Sequence, residues 1–197
     1  MKFLFDLGGV FFDWDPKHFF KNIFENSEEL NYFLSEICND SWNIQQDAGR
    51  SIIEAEKELI TIFPNYEKQI RMYYYNHRLM IKGVFSQSIE ILAKLIKSKY
   101  QCYVLSNWSA ETFKNMNKDY PFLNQFNGMI ISGEDKLIKP DLAIYKLAIK
   151  RFNLIPQKTV FIDDKFANVE AAQKLGFHII HLVDPTTIKE NIESFLD

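Results

Sequence analysis

The chain has 197 residues, 47% of them hydrophobic, with 18 Phe, 9 Tyr and a formal net charge of -3. This length and composition suit one substantial core, or a core carrying a smaller insertion, and exclude a disordered chain. Scattered basic residues under a slight acidic excess argue against nucleic acid as a partner, and no apolar run reaches the about 18 residues that would span a bilayer.

The first element in chain order is an apolar strand at residues 2–7, KFLFDL, which delivers Asp6 to its end. The few residues before Asp6 leave no room for a leader segment, so a cytoplasmic protein is expected. From about 15 to 83 no strand is evident and helices are expected at 27–38, 51–62 and 65–81. The second of these opens on a capping box, Ser51 with Glu54. Gln45, Gln46, Asp47 and Arg50 form a polar run just before it, read as a solvated loop from which one or two side chains reach a ligand. Gly83 reads as a hinge or a helix end.

Strand and helix alternate from there on. Helices are expected at 88–98, at 140–154 with Pro140 in the first turn, and at 166–176 with Gly176 as a C-cap. Strands are expected at 102–107, 159–163 and 178–183, with a weaker one at 128–132. Their apolar residues are consecutive, as in a parallel sheet buried on both faces. The expected fold is α/β, a three-layer Rossmann-like core with a parallel sheet formed by 1–14 and 84–197, plus an inserted all-helical cap at 15–83. Cys38 and Cys102 lack metal-ligand spacing and make no disulfide framework, and Cys102 reads as a buried strand residue.

In open α/β sheets ligands sit beyond the carboxyl ends of the strands. Asp6 ends the first strand, Ser106 and Asn107 end the second, and Asp163 and Asp164 end the fourth; Lys139 precedes the helix after the third. Together they offer three carboxylates, one ammonium and one hydroxyl around one crevice, a set suited to a metal ion and a phosphate.

These motifs in this order, DLGGV at 6–10, LSN at 105–107, Lys139-Pro140 and DDKFAN at 163–168, resemble the haloacid dehalogenase superfamily. The resemblance covers the whole chain, with 15–83 matching a helical C1-type cap, and is closest to the α-glucose-1-phosphate phosphatase branch. It implies a Mg²⁺-dependent phosphatase that hydrolyses a small phosphorylated metabolite, such as a sugar phosphate, through an aspartyl-phosphate. Asp6 would be the nucleophile. Ser106 would bond the transferring phosphoryl group with the Asn107 N–H nearby, and Lys139 would neutralise charge on the phosphate and on Asp6. Asp6, the carbonyl of Gly8 and Asp164 would hold Mg²⁺, with Asp163 the second choice for the carboxylate and Asn168 assisting from behind. The resemblance implies neither a nucleic-acid nor a membrane partner, and either a monomer or a homodimer.

The match breaks at Gly8, where family phosphatases carry an acid/base aspartate. A substrate with an easy leaving group, such as an anomeric or acyl phosphate, would need less acid help. Alternatively Asp13, Asp15 or His18 stands in, or catalysis is lost and a phosphate-ligand or partner-binding module remains. A metal-independent dehalogenase is the other alternative, although dehalogenases typically place a bulky aromatic at this position. Trp108, next to Ser106-Asn107, reads equally as a face for a sugar or as packing between core and lid. His77, His178 and His181 have no catalytic partner at useful spacing and read as structural.

Overall fold

The structure, a computed structural model, describes residues 1–196. Among the described residues seven strands form two sheets: β1 (Lys2–Phe5), β2 (Phe12–Trp14), β3 (Ile81–Val84), β4 (Gln101–Ser106), β5 (Gly128–Ile131), β6 (Thr159–Asp163) and β7 (His178–His181). The larger sheet runs β5-β4-β1-β6-β7 with every pair parallel. β1 is therefore central, in register with β4 on one side and β6 on the other, Phe5 lying opposite both Val104 and Ile162. That topology brings the ends of β1, β4 and β6 side by side, as the order of the motifs anticipates.

Five helices precede β3: α1 (Pro16–Phe20), α2 (Ser27–Tyr32, continued by a π turn to Ile37), α3 (Asp40–Asp47), α4 (Ile52–Ile62) and α5 (Glu67–Tyr75). Beyond β3 lie α6 (Ser86–Lys97), α7 (Ala110–Phe113), α8 (Met116–Asp119), α9 (Ser132–Asp135), α10 (Leu142–Arg151), α11 (Phe166–Lys174) and α12 (Ile188–Glu193). Alternation along the strands sorts the core into layers. Phe3, Phe5, Val104 and Ile162 pack with Ile91, Leu92 and Leu95 of α6 and Ile188 and Ile192 of α12. Leu4, Tyr103, Leu105 and Phe161 pack on the other face with Ile144, Tyr145 and Ala148 of α10 and Val169 and Ala172 of α11. The three-layer reading of the sequence holds.

The cap helices bury a third cluster of their own, built on Phe20, Phe33, Trp42, Leu59, Ile70 and Tyr73. Trp14 packs against both this cluster and the core one. Ser51 caps α4 as expected, its hydroxyl accepting from Glu54 N at 3.2 Å.

Four local expectations need correction. The segment read as wholly helical contains β3, which pairs antiparallel with β2 in a two-stranded ribbon joining core to cap. Gly83 lies within that ribbon opposite Asp13, where it continues a strand rather than ending a helix. The helix expected to run to 81 stops at Tyr75, because a 3-10 turn over His77–Met80 redirects the chain into β3. Pro140 precedes its helix: α10 starts at Leu142, where the Asp141 carboxylate caps Ala143 N.

Candidate active site

β1 carries the site because an apolar strand flanked by two others has nowhere to place a carboxylate except at its end. Asp6 is 7% exposed, and its backbone N–H still bonds Ile162 O across to β6. Its Oδ1 accepts from three donors: Leu7 N–H at 2.7 Å, the Ser106 hydroxyl at 2.6 Å and Lys139 Nζ at 3.0 Å. No donor among the described residues engages Oδ2. One oxygen is thus fixed by the protein and the other is left for chemistry.

Lys139, 1% exposed, lies between two acids, with Nζ 2.6 Å from Asp163 Oδ2. Burial works against its ammonium, but Asp163 and Asp6 more than offset that and hold its pKa above the ordinary value. Its backbone is clamped by Asn107, whose Oδ1 accepts from Lys139 N at 2.8 Å while its Nδ2 donates to Lys139 O at 2.9 Å. The end of β4 therefore sets the position of the ammonium, a role for the Asn107 side chain that the motif alone does not suggest.

The two acids after β6 have different surroundings. Asp163 is wholly buried, and its oxygens are occupied by Lys139 Nζ, by Lys165 N at 2.8 Å and by Asn168 Nδ2 at 2.9 and 3.0 Å. Asp164 faces a cavity of about 390 Å³ together with Asp6 and Gly8. Gly9 makes this approach possible. It has φ +67°, and a Cβ there would lie 2.6 Å from Asp164 Cγ. Gly8 differs, since a Cβ there would meet nothing within 4 Å.

Asp6, Asp163 and Asp164 present oxygens that all lie within 4.8 Å of one another. Burial pushes the Asp6 carboxyl up despite Lys139, with Asp163 and Asp164 adding repulsion; burial and Asp163 likewise push Asp164 up. Hard oxygen donors repelling one another beside a cavity fit a small divalent cation.

The cavity roof comes from the cap. Asp40, Asn43, Ile44 and Asp47 of α3 line it, with Trp14, Asp15, Pro16, His77, Trp108 and Lys165. This corrects the reading of 45–50 as a solvated loop: Gln46 is fully buried on α3, donating to Trp42 O at 2.7 Å and to the Tyr74 hydroxyl at 3.0 Å. The helix was missed because its apolar stripe is short, although Asn39 does cap it, accepting from Trp42 N at 2.9 Å. Burial lifts the Asp47 carboxyl to about 7 against the opposing pull of the Ser109 N–H and Lys165.

His77 is the other residue that spacing did not reveal. It is 7% exposed, burial and Arg78 lower its pKa to about 4, and neither its Nδ1 nor Trp14 Nε1 finds a partner. A larger open groove of about 640 Å³ shares His77 but touches none of the acidic cluster, so chemistry rather than size selects the site.

Of the proposed stand-ins for an acid at position 8, Asp13 pairs with His18 at 2.9 Å, and neither lines the cavity. Asp15 lines it, with Oδ1 committed to capping Lys17 N. Trp108 packs edge-on to Phe12 and Phe113 and donates to Thr112, a junction residue with one edge on the cavity. His181 and His178 bond the carbonyls of Asp164 and Gln157, structural roles as expected.

A parallel sheet with an acidic tip on its central strand, under an inserted helical cap, defines a class of hydrolytic enzymes. The haloacid dehalogenase-like hydrolase family model matches residues 3–182, and the chain belongs to that family. It is 26% identical over 191 residues to a sesquiterpene phosphatase of Aspergillus oryzae, covering 92% of this chain and 89% of the relative. To a phosphorylated carbohydrates phosphatase of Thermotoga maritima it is 22% identical, with 90% and 82% covered. Among solved structures it is similar to a haloacid-dehalogenase-family enzyme of Bacteroides thetaiotaomicron in complex with magnesium and inorganic phosphate. That likeness has TM-score 0.69 and 27% identity, over 91% of this chain and 92% of the other. No helix among the described residues is long and apolar enough to cross a membrane.

Proposed function

We propose that this hydrolase is a Mg²⁺-dependent phosphatase acting on a small phosphorylated metabolite, a sugar phosphate, through an aspartyl-phosphate on Asp6. The observation that carries the reading is the convergence on Asp6, a cavity-lining residue with one oxygen held by Leu7, Ser106 and Lys139 and the other without a protein donor among the described residues. Asp6 Oδ2 attacks phosphorus while the fixed Oδ1 keeps the carboxylate aimed. Lys139 carries positive charge to the place where phosphoryl oxygens gather negative charge, with the Ser106 hydroxyl and the Asn107 N–H beside it.

Asp6, the Gly8 carbonyl and Asp164 would hold Mg²⁺. Asp163 instead orients Lys139, since its own oxygens are taken. When bound, the cation neutralises phosphate charge and so eases approach of the Asp6 carboxylate. The sugar assignment is supported by the roof, where Asp40, Asn43 and Asp47 present hydrogen-bonding groups on one face of α3 beside Trp14 and Trp108. The family resemblance to the glucose-1-phosphate branch and the carbohydrate-phosphate relative point the same way.

Release of inorganic phosphate from a sugar-phosphate panel and from p-nitrophenyl phosphate tests this. Turnover is expected with Mg²⁺, and none in Asp6→Asn. Activity that survives exhaustive chelation would remove the metal assignment. Gly8 favours a second reading, a phosphate-ligand binder; it would show as phosphate binding by a wild type that turns over nothing on the panel.

A further inference from the structure

In-line attack by Asp6 forces the leaving oxygen to the far side of the phosphoryl group, toward the cap. A proton donor for that oxygen must face the same cavity. Gly8 supplies none, Asp15 caps α1, Asp40 and Lys165 are solvent-exposed, His77 is held neutral by burial and Arg78, and Asp164 belongs to the cluster around Asp6. Asp47 remains, at the C-terminal end of α3.

Its placement is built from both domains. Ser132 Oγ donates to Asp47 O at 2.6 Å and accepts from Trp108 N at 2.9 Å, which pins the end of α3 to the loop leaving β4. Asn43 Nδ2, one turn earlier on α3, lies 3.5 Å from Asp47 Oδ2. Trp108, whose N–H bonds that same Ser132 hydroxyl, is two residues on from Ser106, whose hydroxyl holds Asp6. Asp47 and Asp6 line the same cavity.

We propose that Asp47, delivered by the cap, is the general acid and base of this enzyme, replacing the carboxylate missing at position 8. The inference rests on the phosphatase reading above. In the first step Asp6 Oδ2 bonds to phosphorus, the bond from phosphorus to the ester oxygen breaks, and the released alkoxide takes the Asp47 proton. In the second, the Asp47 carboxylate takes a proton from water, whose oxygen bonds to phosphorus as the bond to Asp6 breaks, leaving phosphate and a reprotonated Asp47.

The charged and titratable groups around Asp47 come from the cap and from the core. Lys165 faces it from the loop after β6, Tyr73 and Tyr74 from α5, His77 from the turn after α5, Asp40 from its own helix and Asp15 from before α1, and Asp6 and Asp164 lie across the cavity. Arg50, near Tyr74, is engaged by Gln46 and Glu58. A half-buried carboxyl lining the cavity, pushed up by desolvation, keeps its proton toward neutral pH, as a donor must.

Asp47→Asn tests the assignment on the full chain with Mg²⁺. For an alkyl phosphate, kcat should fall about 10²- to 10³-fold. With p-nitrophenyl phosphate, nitrophenolate needs no proton, so a burst of about one equivalent should form at near wild-type rate, followed by slow phosphate release. Adding Gly8→Asp, whose Cβ enters open space, should restore alkyl ester hydrolysis at least tenfold. The wild-type pH profile for alkyl esters should show a limb near 7 that disappears in Asp47→Asn. Retention of alkyl activity within threefold, loss of burst and ester hydrolysis together, or absence of rescue by Gly8→Asp would each overturn the role of Asp47 while sparing Asp6. A wild type inert on both substrates would overturn the phosphatase reading and this inference with it.

Discussion

Lys139 is the only cation among the described residues within ion-pair distance of Asp6 or Asp163. Lys139→Met keeps most of the side-chain volume and removes the charge, so packing loss is small and the electrostatic consequence is isolated. It leaves a fully buried Asp163 with only neutral donors and places it beside Asp6 with no counter-charge. Removing one partner of a buried ion set costs about 3–5 kcal/mol. For a chain of this size that corresponds to a fall in Tm of roughly 6–20 °C. Urea unfolding at pH 7 without added metal measures it directly. Since the set is buried, the loss should persist in about 0.5 M salt, which would erase an exposed pair. Adding Asp163→Asn should recover part of the stability, because the uncompensated charge goes with it. A Lys139→Met protein as stable as wild type, or strictly additive losses in the double variant, would refute the reasoning that these groups form one charge-balanced unit.

Gly9→Ala should destabilise by at least about 1–3 kcal/mol, since positive φ and a clash with Asp164 coincide, while Gly8→Ala should change unfolding free energy little. His77 carries a depressed pKa, so the unfolded chain binds its proton first as pH falls. The stability it contributes is whole above about 6.5 and lost toward pH 4, an effect of about 3 kcal/mol. Urea unfolding at pH 7 and 4.5 should therefore show a smaller drop for His77→Gln than for wild type; equal drops would count against it. Mg²⁺ at 100 times its Kd should raise stability by about 2.7 kcal/mol in thermal unfolding, an increment that Asp164→Asn should abolish and Asn43→Ala should preserve.

The core was legible because buried parallel strands announce themselves as short apolar runs, and because each run ends in the polar residue it exists to present. Asp6, Ser106, Lys139 and Asp163 could be read as one constellation before their distances were known. The cap side of the site was far less legible. α3 places Asp40, Asn43 and Asp47 at helical spacing, but only Trp42 and Ile44 supply an apolar signal, and the rest reads as loop. β3 escaped because IKGV has a glycine and a lysine in four residues, and its pairing with β2 is set by tertiary contact rather than pattern. His77 stands in the sequence only as a histidine without a partner at useful spacing, because its burial between Trp14 and Trp108 is encoded by no local pattern.

The separate oily interior of the cap has an evolutionary corollary. Substitutions that repack Phe20, Phe33, Trp42 or Tyr73 reach the sheet through a few junction residues, Trp14, His77 and Trp108, so selection can remodel what is admitted provided the seat of Asp47 on α3 is kept. Inheritance of the reaction and drift of the substrate become separable, and Ser132, which ties α3 to the loop after β4, is the stitch that any such remodelling must preserve.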